Sequence, residues 1–198
     1  MAYFNELDKI INNVVAEKIL RNQNICKLLY YYPTEKIYNY NPFSQPDIVN
    51  TSILLMEKVF PLPKMPDSNT DKSGYMTVTL TGGESSNDNQ GFENVDLVFD
   101  LIFHLDTWFI KNGSRPYRIA EEIDRMFNNQ QTDLPVNNRP IRVGFKQRDY
   151  SDYFYGLQIV YQLSVDSNIG CGINPTTSNT SLNLDLTPSF LPKNIGLR

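Results

Sequence analysis

The chain carries one histidine, His104. A metal site that needs two histidines is therefore excluded, and any histidine-assisted nucleophile would depend on this residue alone. Asp96 and Asp100 share an alternating stretch with His104, and Asp106 follows it. Acidic residues beside a histidine could serve a small hydrolase or a metal-dependent nuclease. At strand rise, however, Asp96 and Asp100 stand roughly 13 Å apart, too far to share one ion. No G-x-S-x-G elbow is present. Gly82-Gly83 is followed by Glu84, without a lysine or a helix, so it reads as a turn and not a phosphate loop. Cys26 and Cys171 form no CxxC pair, and two unpaired thiols in a reducing compartment are expected. These observations predict no catalytic residue, no metal and no cofactor. His104 is expected to be an ordinary strand-end histidine.

The remaining chemistry is cationic. Arg142, Lys146 and Arg148 alternate onto one predicted strand face, with Arg139 close by. Such a stripe could contact nucleic acid, or it could be an interface that meets acidic residues. The net charge of −4 favours the interface, because phosphate binding relies on an excess of clustered Lys and Arg. The aromatic load, 12 Tyr and 11 Phe, fits both a core and a protein–protein interface.

The elements that hold these residues can be read from periodicity. Phe4, Leu7, Ile10, Ile11, Val14, Val15 and Ile19 recur at helical spacing, and a short second helix is predicted over 24–31 before Pro33. The prolines at 42, 46, 61, 63 and 66 make the region from about 32 to 74 irregular, with one possible strand from Ile48 to Phe60. Tyr75 to Thr81 alternates threonines with Met76, Val78 and Leu80, predicting a strand with one buried and one wet face. In the next strand Val95, Leu97, Phe99, Leu101 and Phe103 share a face, so the two form a hairpin whose tip spans Gly82 to Gly91. Ser114 is the predicted N-cap of a helix carrying Ile119, Ala120, Ile123, Met126 and Phe127. Two strands follow, Ile141 to Lys146 and Tyr155 to Val165. This order predicts an α+β fold: a small, mainly antiparallel sheet packed against two helices.

At 198 residues the chain suits one domain, over residues 1–165, with the insertion at about 32–74. Residues 166–198 differ in kind. They are rich in Asn, Thr, Ser, Gly and Pro, and too sparse in apolar residues to fold alone. Yet Leu182, Leu184 and Leu186 alternate as in a strand, with Phe190 nearby. An extended C-terminal arm that adds to a sheet edge of a neighbouring subunit is expected. The predicted interface residues are thus Arg139, Arg142, Lys146 and Arg148 in the domain, and Leu182, Leu184, Leu186 and Phe190 in the arm. The N-terminus shows no basic-then-apolar signal, and no apolar run approaches the ~18–20 residues a membrane span needs.

The junction Asn112-Gly113-Ser114-Arg115-Pro116-Tyr117-Arg118-Ile119-Ala120-Glu121-Glu122-Ile123-Asp124 carries a resemblance, together with Arg139-Pro140-Ile141-Arg142-Val143 and Tyr155 to Tyr161. In this element order the chain resembles the tail terminator and tail-completion proteins of tailed bacteriophages, over about residues 1–30 and 75–165. The resemblance implies a virion protein, assembled in the host cytoplasm, that forms a ring at the head–tail junction. A hexamer or dodecamer is implied, in contact with connector, neck and tail proteins, with DNA passing through the lumen without sequence-specific binding. The family has no catalytic residues to carry over. The insertion and the arm depart from a compact terminator and leave room for a different neck ring, such as a short-tailed phage's connector-type protein. The alternatives are a small hydrolase or nuclease built on acidic residues, and a DNA-contacting adaptor.

Overall fold

The computed structural model describes residues 2–33, 39–65, 72–85 and 91–166. Its centre is a five-stranded sheet in the order β1-β2-β3-β7-β6. The strands are β1 (Val59–Phe60), β2 (Gly74–Ser85), β3 (Phe92–His104), β6 (Ile141–Asp149) and β7 (Phe154–Asp166). All pairs are antiparallel except β1 with β2. A two-residue pair, β4 (Phe109–Ile110) and β5 (Gly113–Ser114), leads into the helix after it. The α+β class expected from the sequence is the one observed.

Alternation fixes which side of the sheet is covered. In β3 the side chains of Val95, Leu97, Phe99, Leu101 and Phe103 are all buried, as are Leu157, Ile159, Tyr161, Leu163 and Val165 of β7. They share one face, and the helices pack on it. α3 (Arg115–Phe127) contributes Ile119, Ile123 and Phe127, whose three- and four-residue spacing makes one stripe. Phe127, Phe99 and Tyr161 pack ring to ring at centroid distances of 5.6–6.0 Å. α2 (Gln23–Tyr30) is short, capped by Asn22, whose side chain accepts from the amide of Ile25. It buries Ile25, Cys26, Leu28 and Leu29. The helical layer therefore holds the three helices that the periodicity predicts.

The first helix is continuous, but not uniform. α1 (Ala2–Asn12) passes into a wider π-helical stretch, Asn13–Ile19, in which the amide of Leu20 reaches five residues back to Val15 at 2.9 Å. The wider turn shifts the stripe, so Ile10, Val14, Val15 and Ile19 are buried while Phe4 is exposed.

Three further expectations are corrected. Residues 48–60 are not one strand. Asn50 accepts from the amide of Ser52 and starts a tight turn, Thr51–Leu54, and Met56 takes a left-handed φ of 62°. Local side-chain bonds of this kind compete with a ladder, and only Val59 and Phe60 pair with β2. Gly82 and Gly83 do not end β2. They form a bulge at left-handed φ values of 86° and 131°, and pairing with β3 resumes at Glu84. The other face of the sheet is not uniformly wet. Tyr75 and Ile102 are buried there with Phe60 and Phe154 in a second small cluster, and Thr77 is buried as well.

The long connection is pinned where it is described. Gln23 makes two bonds of 3.0 Å with the backbone of Ile48, Lys111 donates its amide to Tyr40 at 2.8 Å, and Tyr32 bonds Gly74. Arg115, the first residue of α3, is wholly buried. Its Nε donates to the carbonyl of Thr107 at 2.9 Å, and its Nη1 to that of Leu28 at 2.7 Å. The Tyr32 ring lies 4.5 Å from its guanidinium carbon.

Two tests follow from this packing. Arg115→Ala strands two buried carbonyls and opens a cavity, so it should cost on the order of 3 kcal/mol in urea denaturation. A loss below about 0.5 kcal/mol would show that the side chain does not join these segments. The second concerns Tyr161, whose hydroxyl donates to Asp124 at 2.9 Å. Burial, and then that bond, raises its pKa above the ordinary value. Such a tyrosine adds stability that is full below the unfolded value of about 10 and is lost as pH rises through the folded one. Unfolding free energy should therefore fall above about pH 10, and less steeply in Tyr161→Phe. Equal slopes in the two proteins would refute the assignment.

Candidate functional site

β6 is the outermost strand, paired on one side with β7 only. Every residue from Ile141 to Asp149 is exposed except Gly144, which is half-buried. Ile141, Val143 and Phe145 are 55%, 62% and 61% exposed, which is unusual for three large apolar residues on one strand. A long edge with apolar side chains and unpaired backbone groups is a template for another chain. The alternation of this strand was legible in the sequence, but its lack of cover was not.

A bulge decides where the side chains go. Arg142 pairs with Tyr161 and Gly144 with Val160, so Val143 is the extra residue between them. One inserted residue reverses the facing of whatever precedes it. Arg142 therefore lies on the helix side, where it meets Asp124 of α3 at 3.1 Å. Lys146 and Arg148 pair with Gln158 and Gly156 on the opposite side. The expectation that Arg142, Lys146 and Arg148 share one face is thus overturned, and no single basic stripe forms. Arg139 precedes the strand, in the exposed connection from α3. Among the described residues Arg139 and Lys146 make no ion pair. The arm residues Leu182, Leu184, Leu186 and Phe190, and most of the hairpin tip, lie outside the described residues.

On the helix side, Phe145 and Arg142 border a groove of about 300 Å³ between β6 and α3, lined mainly by Tyr117, Ala120, Leu157, Ile159 and Tyr161, together with the carboxylates Glu121 and Asp124. Gln147 closes one end by donating to the hydroxyl of Tyr117 at 2.7 Å. Beyond it, a second hollow of about 220 Å³ runs under Trp108 and the exposed Phe109. An apolar strip thus follows the edge strand along its length.

The opposite side holds a polar network. Arg148 donates to Gln158 at 2.7 Å, Gln158 to Asp100 at 2.8 Å, and the Tyr150 hydroxyl to the same Asp100 oxygen at 2.9 Å. Burial and the Asp100 charge raise the Tyr150 pKa, so it is a neutral donor. The Tyr150 ring covers Gly156, where a Cβ would meet it at 2.4 Å. Above Gly144, in contrast, a Cβ would meet open space.

The residues weighed for catalysis are placed as follows. His104 is buried, stacked on Tyr153 and edge-on to Phe154. Its Nδ1 accepts from the amide of Asp106 at 3.1 Å, which caps a short turn, Leu105–Thr107, and leaves the proton on Nε2. Asp100 is engaged in the network just described. Among the described residues no three of His, Cys, Asp and Glu gather as a metal-binding set. Cys26 is buried, with its thiol directed at the Ile19 and Leu20 carbonyls, and burial pushes its pKa up to about 12. It is an inert core thiol. Ser114 holds the N-cap position of α3, but its hydroxyl makes no capping bond. No described helix is long and apolar enough to cross a membrane.

The fold defines a small α+β domain with a partly basic strand that is open on one side among the described residues. Comparison with protein families matches the chain to the YomW family over residues 22–163. That is well over half of the chain, so the protein belongs to the YomW family, a family of the SPbeta-phage region of Bacillus, and is phage-associated. No curated protein matches the chain.

Val143 and Phe145 sit at the surface, so Val143→Lys should change monomer stability by no more than about 0.5 kcal/mol. A large drop in melting temperature would mean that this strand is a core element instead.

Proposed function

We propose that the protein is a virion structural subunit that assembles into a ring at the head–tail junction, in the manner of a tail terminator or neck protein. The observation that carries this reading is the edge strand β6: nine residues long, with exposed apolar residues at Ile141, Val143 and Phe145, and with no strand on its outer edge among the described residues. An edge of that kind is stable in solution only when it is blunted or paired. Membership of a phage family supports a phage setting for the partner. The engagement of His104 in a cap, and of Asp100 in a hydrogen-bond network, speaks for structural roles at the positions best suited to catalysis. The separation of Arg142 from Lys146 and Arg148 speaks against a DNA-reading stripe. In this reading the sheet and helices form the body of the subunit, and neighbouring copies and the connector, neck and tail proteins are its partners.

The test is native mass by light scattering, with negative-stain images of the same sample, and mass spectrometry of purified virions. A discrete ring, or a stoichiometric band in virions, is expected. A monomer that is also missing from virions would overturn the reading. His104→Gln should leave particle assembly intact. A dead phenotype with normal folding and normal assembly would point instead to an enzyme.

A further inference from the structure

β6 needs an occupant for its free edge, and the rest of the chain narrows the choice. A second copy of β6 is a poor one. Antiparallel pairing of the regular parts of two such strands brings Lys146 and Arg148 of one, which share a face, beside those of the other, and like charges opposite each other destabilise a ladder. Of the residues outside the described ones, 34–38, 66–71 and 86–90 are polar or too short to form a strand of matching length. Ser181-Leu182-Asn183-Leu184-Asp185-Leu186 is the one stretch there that alternates over a strand length.

We infer that residues 181–186 of a neighbouring copy add to the free edge of β6 as an antiparallel strand. This rests on the reading of the protein as an assembling subunit, and it names the surface and the segment that would join copies. The match is chemical on both faces. Past the bulge, Gly144 to Asp149 form a regular six-residue stretch, the same length as the segment. With its leucines on the helix side, Leu182, Leu184 and Leu186 continue the apolar layer beyond Phe145 and cover the groove bordered by Tyr117 and Ala120. Asn183 and Asp185 then fall on the face of Lys146 and Arg148. Between 167 and 192 Asp185 is the one charged residue, so the segment brings no cation to a basic strand.

Direction argues for a neighbouring copy. β7 ends at Asp166, beside the β6 end near Ile141, while the far end of β6 lies opposite Tyr155. Those two ends of β7 are roughly 36 Å apart at strand rise. Within one chain, an antiparallel arm would have to travel that length and pass around β6. Residues 167–180 reach at most about 46–50 Å, so that path would use roughly three quarters of their full extension before the detour around β6. The relaxed path within one chain runs parallel to β6. Antiparallel pairs are the more stable and the more common.

The test uses full-length chains with Cys171→Ser, leaving the buried Cys26 in place. One chain carries Lys146→Cys and a differently tagged chain carries Asn183→Cys, positions that leave every apolar contact intact. Mixed and treated with a short bis-maleimide, they should yield a linked pair of the two chains. An Asp8→Cys chain with Asn183→Cys should link at least tenfold less, and adding Phe145→Asp to the Lys146→Cys chain should lower its yield at least tenfold. In the double variant Lys146→Cys/Asn183→Cys, links between chains support the inference. A monomer with an internal link, seen by intact mass, would overturn it, because the arm would then fold back on its own subunit. Linking no better than the Asp8→Cys control would overturn it too, because β6 would then have another occupant. Neither failure touches the presence of the protein in virions, which is read separately.

Discussion

A wholly buried guanidinium, with no carboxylate beside it among the described residues, holds the body of this protein together. Arg115 stands at the first position of α3, where the helix dipole disfavours a cation. Taking such a charge out of water costs several kcal/mol unless it is bonded. Here it is bonded to Leu28 and Thr107 carbonyls. Leu28 lies in the last turn of α2, whose carbonyls lack partners within the helix and carry the negative end of its dipole. The faces of Tyr32 and Tyr40 add cation–π attraction. Burial lowers the guanidinium pKa, and both tyrosines oppose that shift. One side chain thus joins the end of α2, the turn after β3 and the start of α3. The helical layer can sit on the sheet in one arrangement because those three segments are tied at a point.

What Arg115 does for the body, the bulge at Val143 does for the edge. Without it, all three cations of β6 would face one way and the strand would present a basic stripe. With it, Arg142 turns inward to Asp124 and helps fix β6 to α3, while Lys146 and Arg148 face outward. The same bulge strengthens the local twist and blunts the start of the strand against unselective pairing. The regular part beyond it remains open, with charge on one face and an apolar groove on the other.

Much of this was legible in the sequence wherever a periodic stripe met a buried surface. β7 and the apolar face of β3 follow from strict alternation, and α3 follows from Ile119, Ile123 and Phe127. Four things were not legible. A π-helical turn at Asn13–Ile19 and a bulge at Val143 each add a fraction of a turn or one residue, and residue types alone do not mark them. The role of Arg115 was hidden because an Arg before a Pro at a helix start looks like any solvated cap residue. Its one signal was position: it sits inside the stretch Asn112 to Asp124 that carries the family resemblance. The exposure of β6 was hidden because apolar alternation reads the same whether or not a layer covers it.

The geometry of the proposed contact bears on the kind of assembly it would build. An arm given by one subunit and an edge offered by the next are different surfaces, so the contact is heterologous and runs head to tail. Such contacts close into a ring when the rotation between neighbours divides a full turn, and otherwise extend as a filament. A β6–β6 contact would be isologous, would end at a dimer, and is opposed by the charges on the strand. In the proposed contact, the basic face of β6 would disfavour the closed dimer and leave the head-to-tail arrangement that a ring requires. In that arrangement Arg115 and the core keep the acceptor edge in place before any partner arrives, so the ordering cost of association falls on the arm.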